Sequence, residues 1–381
     1  MVEKHSKQGT AEEKLNMQDV LSMRSSGYYS QRTAGAKNAI DSVLPLMKEA
    51  INNLPETEIL RFADYGAADG GTSAALWADL ISSLRKSGDV RHTELLYTDL
   101  PSNDFSTLFK TMQGMEGDPS NAYQVNNENV FVHGCGTGFH RQLMASNSLS
   151  LGFSATAMHY VSEKPCEIED HVHMVGAAPD ERAQFAQRAA EDWEKILLAR
   201  AAEMKSGSQF IVLNFVIDEE GRYLGHTGGH SMFDKFTQHW RALLSADKIT
   251  QEEFRRATFV QHYRTLDEFK APFDSQDTPV MKAGLRLKSA RTQLTKCPYQ
   301  MAFIEADGAM SASQYATSLI PTMRSWSETV FLSALSSRPP VEAQAIVDEF
   351  YQSYEAEVAA NPDGHAMDYI HAIMVLEKVA Q

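Results

Sequence analysis

Residues 58–72 read EILRFADYGAADGGT, and this stretch decides the fold class of the chain. Its first half alternates like a β-strand, and its glycines, beginning with Gly66, allow a tight turn. An amphipathic helix is predicted over 72–88, and TELLYTDL at 93–100 is typical of a second strand. Strand, helix and strand at this spacing indicate a parallel sheet with crossover helices.

The same alternation continues to about residue 218 and then stops. Three segments predict further strands, at 128–134, 148–161 and 209–218. Residues 180–205 predict a long helix between the last two of them. Beyond residue 218 the chain is mainly helical and rich in Met and aromatic residues, over 230–258 and 311–358, with a late strand predicted at 299–306. The pattern therefore predicts an α/β core with a mainly helical cap.

Composition and charge limit the function classes. The 381 residues are 43% hydrophobic and 22% charged, which is typical of a globular protein. A formal net charge of −15 disfavours nucleic acids and anionic membranes as partners. Three scattered cysteines, Cys135, Cys166 and Cys297, fit a reducing cytosol rather than a disulfide scaffold. Since no apolar run approaches the roughly 18 residues that cross a bilayer, we expect a cytoplasmic protein.

Two acidic residues stand where two predicted strands end, Asp64 and Asp99. The carboxyl ends of parallel strands form the ligand crevice of such a sheet. A dinucleotide site needs G-x-G-x-x-G and an acidic residue about 20 positions further on. This loop instead has G-x-x-x-G-G, and Asp99 lies well beyond that distance from Asp64. The spacing argues against a nicotinamide-dependent oxidoreductase.

Carboxylates beside a ligand suit a cation or a ribose better than a pyrophosphate. S-adenosylmethionine carries an ammonium, a sulfonium and two ribose hydroxyls, and it has no phosphate. We expect Asp64 to face its ammonium end and Asp99 to accept both ribose hydroxyls. Two simpler interpretations stay open, an ordinary strand–turn–helix at the glycine loop and a helix N-cap at Asp99.

Four stretches together resemble the SABATH family of S-adenosylmethionine-dependent methyltransferases. The segment DVLSMR followed by YSQRT, within 19–33, resembles the family's N-terminal motif, and the Asp64 loop resembles its Asp-Leu-Gly-Cys-x-x-Gly. TDLPSNDF at 98–105 is similar to Asn-Asp-Leu-Pro-x-Asn-Asp-Phe, and SATAMHYVS at 154–162 to Ser-Ser-Tyr-Ser-Leu-His-Trp-Leu-Ser. The family methylates small carboxylic acids and, in some members, ring nitrogens.

The resemblance implies a class I methyltransferase fold, with a Rossmann-like seven-stranded sheet under a helical cap. Residues 1–15 would be a flexible tail, 16–225 and 259–310 the core, and 226–258 and 311–381 the cap. The implied cofactor is S-adenosylmethionine, and relatives suggest a homodimer. The residues expected to bind the cofactor are Arg24, Tyr29, Thr33, Asp64, Gly66, Asp69, Asp99, Leu100, Gly138, Phe139 and Ser154.

His159 falls where the family holds the acceptor, and it is the one evident base for a hydroxyl acceptor, so we predict that it is catalytic. Trp326 lies on a later cap helix. Met232 and Phe233 belong to a helical aromatic stripe that is equally compatible with core and pocket wall. The residues expected to bind the acceptor are Thr156, His159, Tyr160, Met232, Phe233 and Trp326.

Departures from the family pattern concern the acceptor. Where carboxyl-methylating relatives have a Gln and a Trp that donate to the carboxylate, this chain has Ala36 and Tyr160. We predict methyl transfer to a small, largely apolar acceptor, with a carboxylate oxygen first and a nitrogen or sulfur as the alternative. A cofactor-binding protein without catalysis is a further alternative. Thr258-Phe259-Val260 replaces the Asn-type metal ligands of some relatives, so we predict no metal.

Overall fold

A computed structural model describes residues 32–380 of the chain. The predicted tail 1–15 and the predicted cofactor residues Arg24 and Tyr29 lie outside the described residues. Eight strands form one sheet, and the α/β class is confirmed. They are β1 (Ile59–Tyr65), β2 (His92–Asp99), β3 (Val130–Gly136), β4 (Leu149–Ala155), β5 (Met204–Ile217), β6 (Arg264–Thr265), β7 (Leu285–Thr295) and β8 (Tyr369–Lys378).

Thirteen α-helices surround the sheet within residues 32–380, and several 3-10 turns join them. The helices of the α/β half are α1 (Ala34–Asp41), α2 (Leu44–Asn52), α3 (Ala74–Lys86), α4 (Phe105–Met112), α5 (Tyr123–Asn126) and α6 (Pro179–Glu203). The later helices are α7 (Met232–Ser245), α8 (Gln251–Arg256), α9 (Leu266–Lys270), α10 (Pro279–Lys282), α11 (Pro298–Glu305), α12 (Ala312–Ala334) and α13 (Pro340–Ala360). No described helix is long and apolar enough to cross a bilayer.

The strand order is β3-β2-β1-β4-β5-β8-β7, with β6 paired to β5. All pairs up to β5 are parallel, whereas β8 runs antiparallel to both β5 and β7. The chain moves outward from β1 in one direction and then returns to add β4 on its other side. Such a reversal opens a crevice at the carboxyl ends of β1 and β4, where ligands bind in open α/β sheets.

The Trp77 side chain packs helix α3 against the sheet. The Trp77 ring stacks on Phe62 at 5.8 Å and meets Phe153 edge-on at 6.1 Å. All three are buried on the face that β1 and β4 share. Full burial of an aromatic ring of this kind contributes about 1.5–3 kcal/mol, so this contact helps to fix the helix that follows the glycine loop.

The later helices form the predicted cap around a second aromatic core. Phe331 on α12 and Phe350 on α13 have ring centroids 4.3 Å apart, and Trp240 on α7 lies 5.0 Å from Phe331. The side chains are buried. The aromatic stripe of α7 is therefore core packing between cap helices.

Three boundaries differ from the sequence predictions. Residues 299–306 were predicted as a strand, but they lie in α11, which begins at Pro298, a favourable first helical position. The strand is instead β7, whose polar edge residues hide its pattern. Residues 369–378 were predicted in the cap, but β8 inserts between β5 and β7 and returns the chain to the core.

Candidate active site

A cleft of about 540 Å³ opens at the carboxyl ends of β1, β2 and β4. Its floor is the turn after β1, and its walls come from the loops after β2, β3 and β4. The described residues that line it are Gly66, Ala67, Ala68, Thr72, Asp99, Leu100, Pro101, Gly136, Thr137, Gly138, Phe139, His140, Arg141, Ala155, Thr156, Ala157, Tyr160, Ser162 and Glu163. The sequence-predicted residues Gly66, Asp99, Leu100, Gly138 and Phe139 are thus brought together in one place.

Gly66 has a positive φ of 78°, which favours glycine. A Cβ atom at this position would lie 2.3 Å from the Cβ of Ala157 across the cleft floor. The N–H groups of Gly66 and Ala67 both donate to the Thr98 carbonyl, at 2.9 and 3.1 Å. Residue 66 must therefore be glycine for the loops after β1 and β4 to approach each other.

The Asp99 carboxylate is held in a defined orientation at the end of β2. Its Oδ2 accepts from the Ala68 N–H at 2.7 Å, and its Oδ1 accepts from the Leu100 N–H at 2.7 Å. Burial raises the pKa of Asp99, and these two backbone hydrogen bonds oppose that shift. Each carboxylate oxygen has a further lone pair, so the group can accept two more hydrogen bonds from a ligand.

The wall that carries Phe139 is anchored by a buried ion pair beneath it. Arg200 on α6 donates to the carbonyls of Phe139 and Arg141 at 2.9 and 2.7 Å. Its guanidinium also pairs with Glu203 through two bonds of 2.8 Å, and the Tyr65 hydroxyl donates to that carboxylate at 2.6 Å. Both charged side chains are fully buried. The loop position is thus set by a charge pair in the core.

Four of the described residues that were predicted to bind the cofactor do not line the cleft. Thr33 instead lines a smaller chamber beside it, and the other three are held by hydrogen bonds. Asp64 accepts from the Trp77 indole N–H at 2.8 Å, and burial raises its pKa to about 6. Asp69 accepts from the Gly71 N–H at 3.1 Å, and the Ser154 hydroxyl donates to the Tyr65 carbonyl at 2.8 Å. These side chains hold the glycine loop and β1 in place, and their contact with a cofactor stays a prediction.

The donor set of the cleft fits S-adenosylmethionine better than a phosphate-bearing nucleotide. The amide N–H groups of residues 66–68 are already bonded to Thr98 and Asp99, so they cannot cradle an anion. The Asp99 carboxylate suits a ribose, Phe139 offers an aromatic face for a base, and the glycine floor admits a close approach. Within residues 32–380, no group of three or more His, Cys, Asp or Glu side chains could hold a metal ion.

A second, smaller chamber of about 30 Å³ adjoins the cleft under the cap. Thr156 and Tyr160 line both spaces and so separate them. Thr156 has a φ of 52°, which is unusual for a β-branched residue, and its N–H donates to the Leu213 carbonyl at 2.7 Å. The described residues that line the chamber are Thr33, Thr156, His159, Tyr160, Phe215, Leu224, Gln261, Tyr263, Trp326, Met367 and Tyr369.

His159 lies in this chamber among aromatic rings. Its ring centroid lies 4.5 Å from that of Tyr160 and 4.8 Å from that of Phe215. Burial lowers the pKa of His159 to about 3, and the hydrogen bond with Asn214 only partly opposes that shift. Its Nδ1 lies 3.3 Å from the Asn214 Oδ1, and the tautomer of the ring decides which of its nitrogens carries the proton. The imidazole is therefore neutral near pH 7.

Two of the predicted acceptor residues lie behind the chamber wall. Phe233 stacks on His173 at 3.9 Å and lies 6.2 Å from Trp326, which does line the chamber. Met232 is 1% exposed within the cap core. Both support the wall through packing, and direct contact with an acceptor stays a prediction for them.

Six residues of the chamber escaped the sequence analysis, and they come from well-separated segments. They share no local signal, because Phe215, Tyr263 and Tyr369 are aromatic, Gln261 is polar, and Leu224 and Met367 are aliphatic. Tyr369 begins β8, and its ring lies only 2.2 Å from where a Cβ of Gly35 would be. The missed residues are Phe215, Leu224, Gln261, Tyr263, Met367 and Tyr369.

The fold and the cleft together define an S-adenosylmethionine-dependent methyltransferase of class I. A family model described as SAM dependent carboxyl methyltransferase matches residues 17–379. Methyltransferase FUS9 of Gibberella fujikuroi is 31% identical over 67% of this chain and 70% of its own length. The chain belongs to this family of carboxyl methyltransferases, the SABATH family.

More distant relatives agree with this assignment. Farnesoic acid carboxyl-O-methyltransferase of Arabidopsis thaliana is 27% identical over 44% of this chain and 51% of its own length. The solved structure of loganic acid methyltransferase with SAH covers 95% of this chain and 99% of its own, with a TM-score of 0.68 and 15% identity. That structure supports the fold.

Proposed function

We propose that this enzyme methylates the carboxylate oxygen of a slim, largely apolar acid that lies at the junction of the cleft and the chamber beside His159, because the chamber itself, at about 30 Å³, holds little more than one water. The observation that carries the proposal is the neutrality of the chamber. None of its described lining residues is an Asp, Glu, Lys or Arg, and several are aromatic or aliphatic. Because burying an unpaired charge is costly, an acceptor here presents a single charged group at the junction with the cleft and apolar surface elsewhere.

Methyl transfer from a sulfonium to a carboxylate needs alignment and the exclusion of water. The bound cofactor supplies an electrophilic methyl group. Asp99 and Phe139 hold and orient it in the cleft, and the cap excludes water from the chamber. A carboxylic acid is ionised near neutral pH, with an ordinary pKa near 4, so no base is required. Good alignment alone can lower such a barrier by about 7–11 kcal/mol.

His159 is suited to position an acceptor rather than to deprotonate one. An imidazole with a pKa of about 3 is a weak base and cannot remove the proton of an alcohol or phenol efficiently. This favours an acceptor that arrives ionised. Asp64, Asp69 and Ser154 take supporting roles in the proposal. Thr33, which was predicted to bind the cofactor, instead borders the acceptor from the position before α1.

Methylation of nitrogen or sulfur is the second candidate, because Ala36 is 2% exposed and offers no donor for a carboxylate. A panel of farnesoic acid, indole-3-acetic acid, their primary amides, an aliphatic amine and a thioether distinguishes the candidates. We expect release of S-adenosylhomocysteine and a methyl ester by mass spectrometry with at least one acid. A product methylated on nitrogen or sulfur, with no ester from any acid, contradicts the proposal.

The compartment, the partners and the oligomeric state of the enzyme are also proposals. The three cysteines are free, which supports a reducing compartment such as the cytoplasm. The net charge of −15 supports a small-molecule acceptor rather than a nucleic acid or an anionic membrane. A homodimer is proposed from the family resemblance, and light scattering on the full chain tests it.

Replacing His159 should separate acceptor binding from cofactor binding. His159→Ala is expected to lower kcat/KM for the acid at least tenfold, because the chamber loses the ring that packs on Tyr160 and Phe215. The Kd of S-adenosylhomocysteine should stay within about threefold, since His159 is absent from the described lining of the cleft. Steady-state kinetics and calorimetry measure the two effects. An unchanged kcat/KM for every accepted acid would remove His159 from the acceptor site.

The pH dependence of kcat/KM should reflect the ionisation of Asp64 and of the acceptor, and not that of His159. At saturating cofactor, kcat/KM for the acid is expected to show no inflection caused by His159 between about pH 5.5 and 8. His159 remains neutral throughout that range, because burial lowers its pKa to about 3. Toward low pH, activity should fall as Asp64, whose pKa burial raises to about 6, and then the acid, with an ordinary pKa of about 4, become protonated. An inflection near pH 6.5 that His159→Ala abolishes would contradict this prediction.

A further inference from the structure

We propose that Gln261 donates a hydrogen bond to the acceptor carboxylate and so replaces the donor that Ala36 lacks. This inference rests on the proposed function. Gln261 is far from α1 in the sequence, and the family resemblance assigns it no role. The proposed role of Gln261 rests on its position in the fold.

The backbone holds Gln261 directly beside Tyr160. The His262 N–H donates to the His159 carbonyl at 2.9 Å, and the Val161 N–H donates to the Val260 carbonyl at 3.1 Å. Tyr160 and Gln261 form an antiparallel bridge between these two bonds. Directly paired residues of an antiparallel ladder project their side chains to the same face. Gln261 and Tyr160 accordingly line the same chamber.

The orientation of the Gln261 carboxamide is set by Tyr263. The Tyr263 hydroxyl donates to the Gln261 Oε1 at 3.3 Å. Since the oxygen accepts this bond, the amide N–H groups are the ones that can donate to a ligand. Gln261 is 1% exposed, so a donor here acts away from bulk water, where a hydrogen bond to a carboxylate is strong.

Gln261 adds an amide donor to a chamber whose other side-chain donors, apart from His159, are hydroxyl groups and the Trp326 indole. The neutral His159 ring has a single N–H, and its Nδ1 contacts the Asn214 oxygen at 3.3 Å. Ala36 has no polar side-chain atom, and no described lining residue of the chamber is cationic. A neutral amide binds a carboxylate without the strong attraction of an ion pair. It therefore orients the nucleophile without greatly reducing its reactivity.

The test uses the full chain, the acid that the wild type esterifies most efficiently among farnesoic and indole-3-acetic acids, and two variants. Gln261→Leu keeps the side-chain volume but removes the donor. We expect it to lower kcat/KM for the acid at least tenfold, mainly through KM, with the Kd of S-adenosylhomocysteine unchanged. Gln293→Leu is the matched control, because Gln293 on β7 donates to Ser42 outside the chamber, and it should keep wild-type kinetics.

Gln261→Glu adds a readout that a structural role would not move. At pH 8 the new carboxylate should repel the acceptor and lower kcat/KM more than Gln261→Leu does. Toward pH 5.5, protonation of this buried group should restore a donor and recover part of the loss relative to the wild type at the same pH. This variant also decides the outcome if Gln261→Leu does not fold.

Two results overturn the inference in distinguishable ways. If the wild type esterifies an acid and a folded Gln261→Leu keeps kcat/KM within twofold, Gln261 is not a carboxylate donor and the proposed function stands. Gln261 is likewise not a carboxylate donor, and the proposed function stands, if the pH profile of kcat/KM for Gln261→Glu has the same shape as the wild-type profile. If the wild type esterifies no acid but methylates the amine or the thioether, the proposed function fails and this inference fails with it.

Discussion

Asp99→Ala is expected to weaken the binding of S-adenosylhomocysteine about 100-fold. In the proposal, two ribose hydroxyls lose the carboxylate that accepts their hydrogen bonds. Hydrogen bonds to a charged group each contribute about 1.5–3 kcal/mol, and 100-fold corresponds to about 2.7 kcal/mol. The variant also releases the N–H groups of Ala68 and Leu100, which now donate to this carboxylate at 2.7 Å each. The turn after β1 should therefore loosen as well.

Calorimetric titration of the purified variant measures the change in Kd, and two further variants interpret it. Asp104→Ala is the matched control, because Asp104 caps α4 by accepting from the Thr107 N–H at 3.1 Å and does not line the cleft. It should cost about 1 kcal/mol of stability and leave the Kd unchanged. Asp99→Asn keeps the shape but places an amide beside two N–H donors, so it should bind almost as weakly as Asp99→Ala. Wild-type affinity in a folded Asp99→Ala would refute the assigned ribose site.

Arg200→Met is expected to lower the free energy of unfolding by about 3–5 kcal/mol. Removing one member of a buried ion pair leaves the other charge uncompensated. Here Glu203 would keep only the Tyr65 hydroxyl and the N–H groups of the loop as partners, in a fully buried position. Arg61→Met is the control, because the Arg61–Glu94 pair is about one third exposed and should contribute less than about 1 kcal/mol. Urea unfolding followed by circular dichroism measures both.

The same variant should also weaken cofactor binding, by about tenfold, through the loop that carries Phe139. The carbonyls of Phe139 and Arg141 lose the donors that hold them, so the aromatic wall of the cleft is no longer preorganised. A folded Arg200→Met with wild-type affinity for S-adenosylhomocysteine would show that the loop is held by other contacts. If Arg200→Met lowers the free energy of unfolding no more than Arg61→Met does, the expected cost of leaving the buried Glu203 charge uncompensated is wrong.

The family, the cleft and four residues of the acceptor chamber (Thr156, His159, Tyr160 and Trp326) could be predicted from the sequence, but the rest of the chamber could not. Asp99 and Phe139 were found because a strand end and a motif mark them in the sequence. Asp64 looked equivalent to Asp99, yet it bonds with Trp77 on α3 and does not line the cleft. Its neighbour Tyr65 reaches Glu203. Successive residues of a strand point to opposite faces, and only packing decides which face meets the ligand.

The chain's own order of residues determined the strand–turn–helix with Gly66, the acidic strand ends and the helical cap, because these depend on periodicities within a few residues of each other. Only the tertiary structure decided that β8 enters the sheet between β5 and β7, and that Gln261 lies beside Tyr160. Both depend on pairing between segments far apart in the chain. Such pairing is selected by the register and packing of the whole sheet, and no local pattern encodes it.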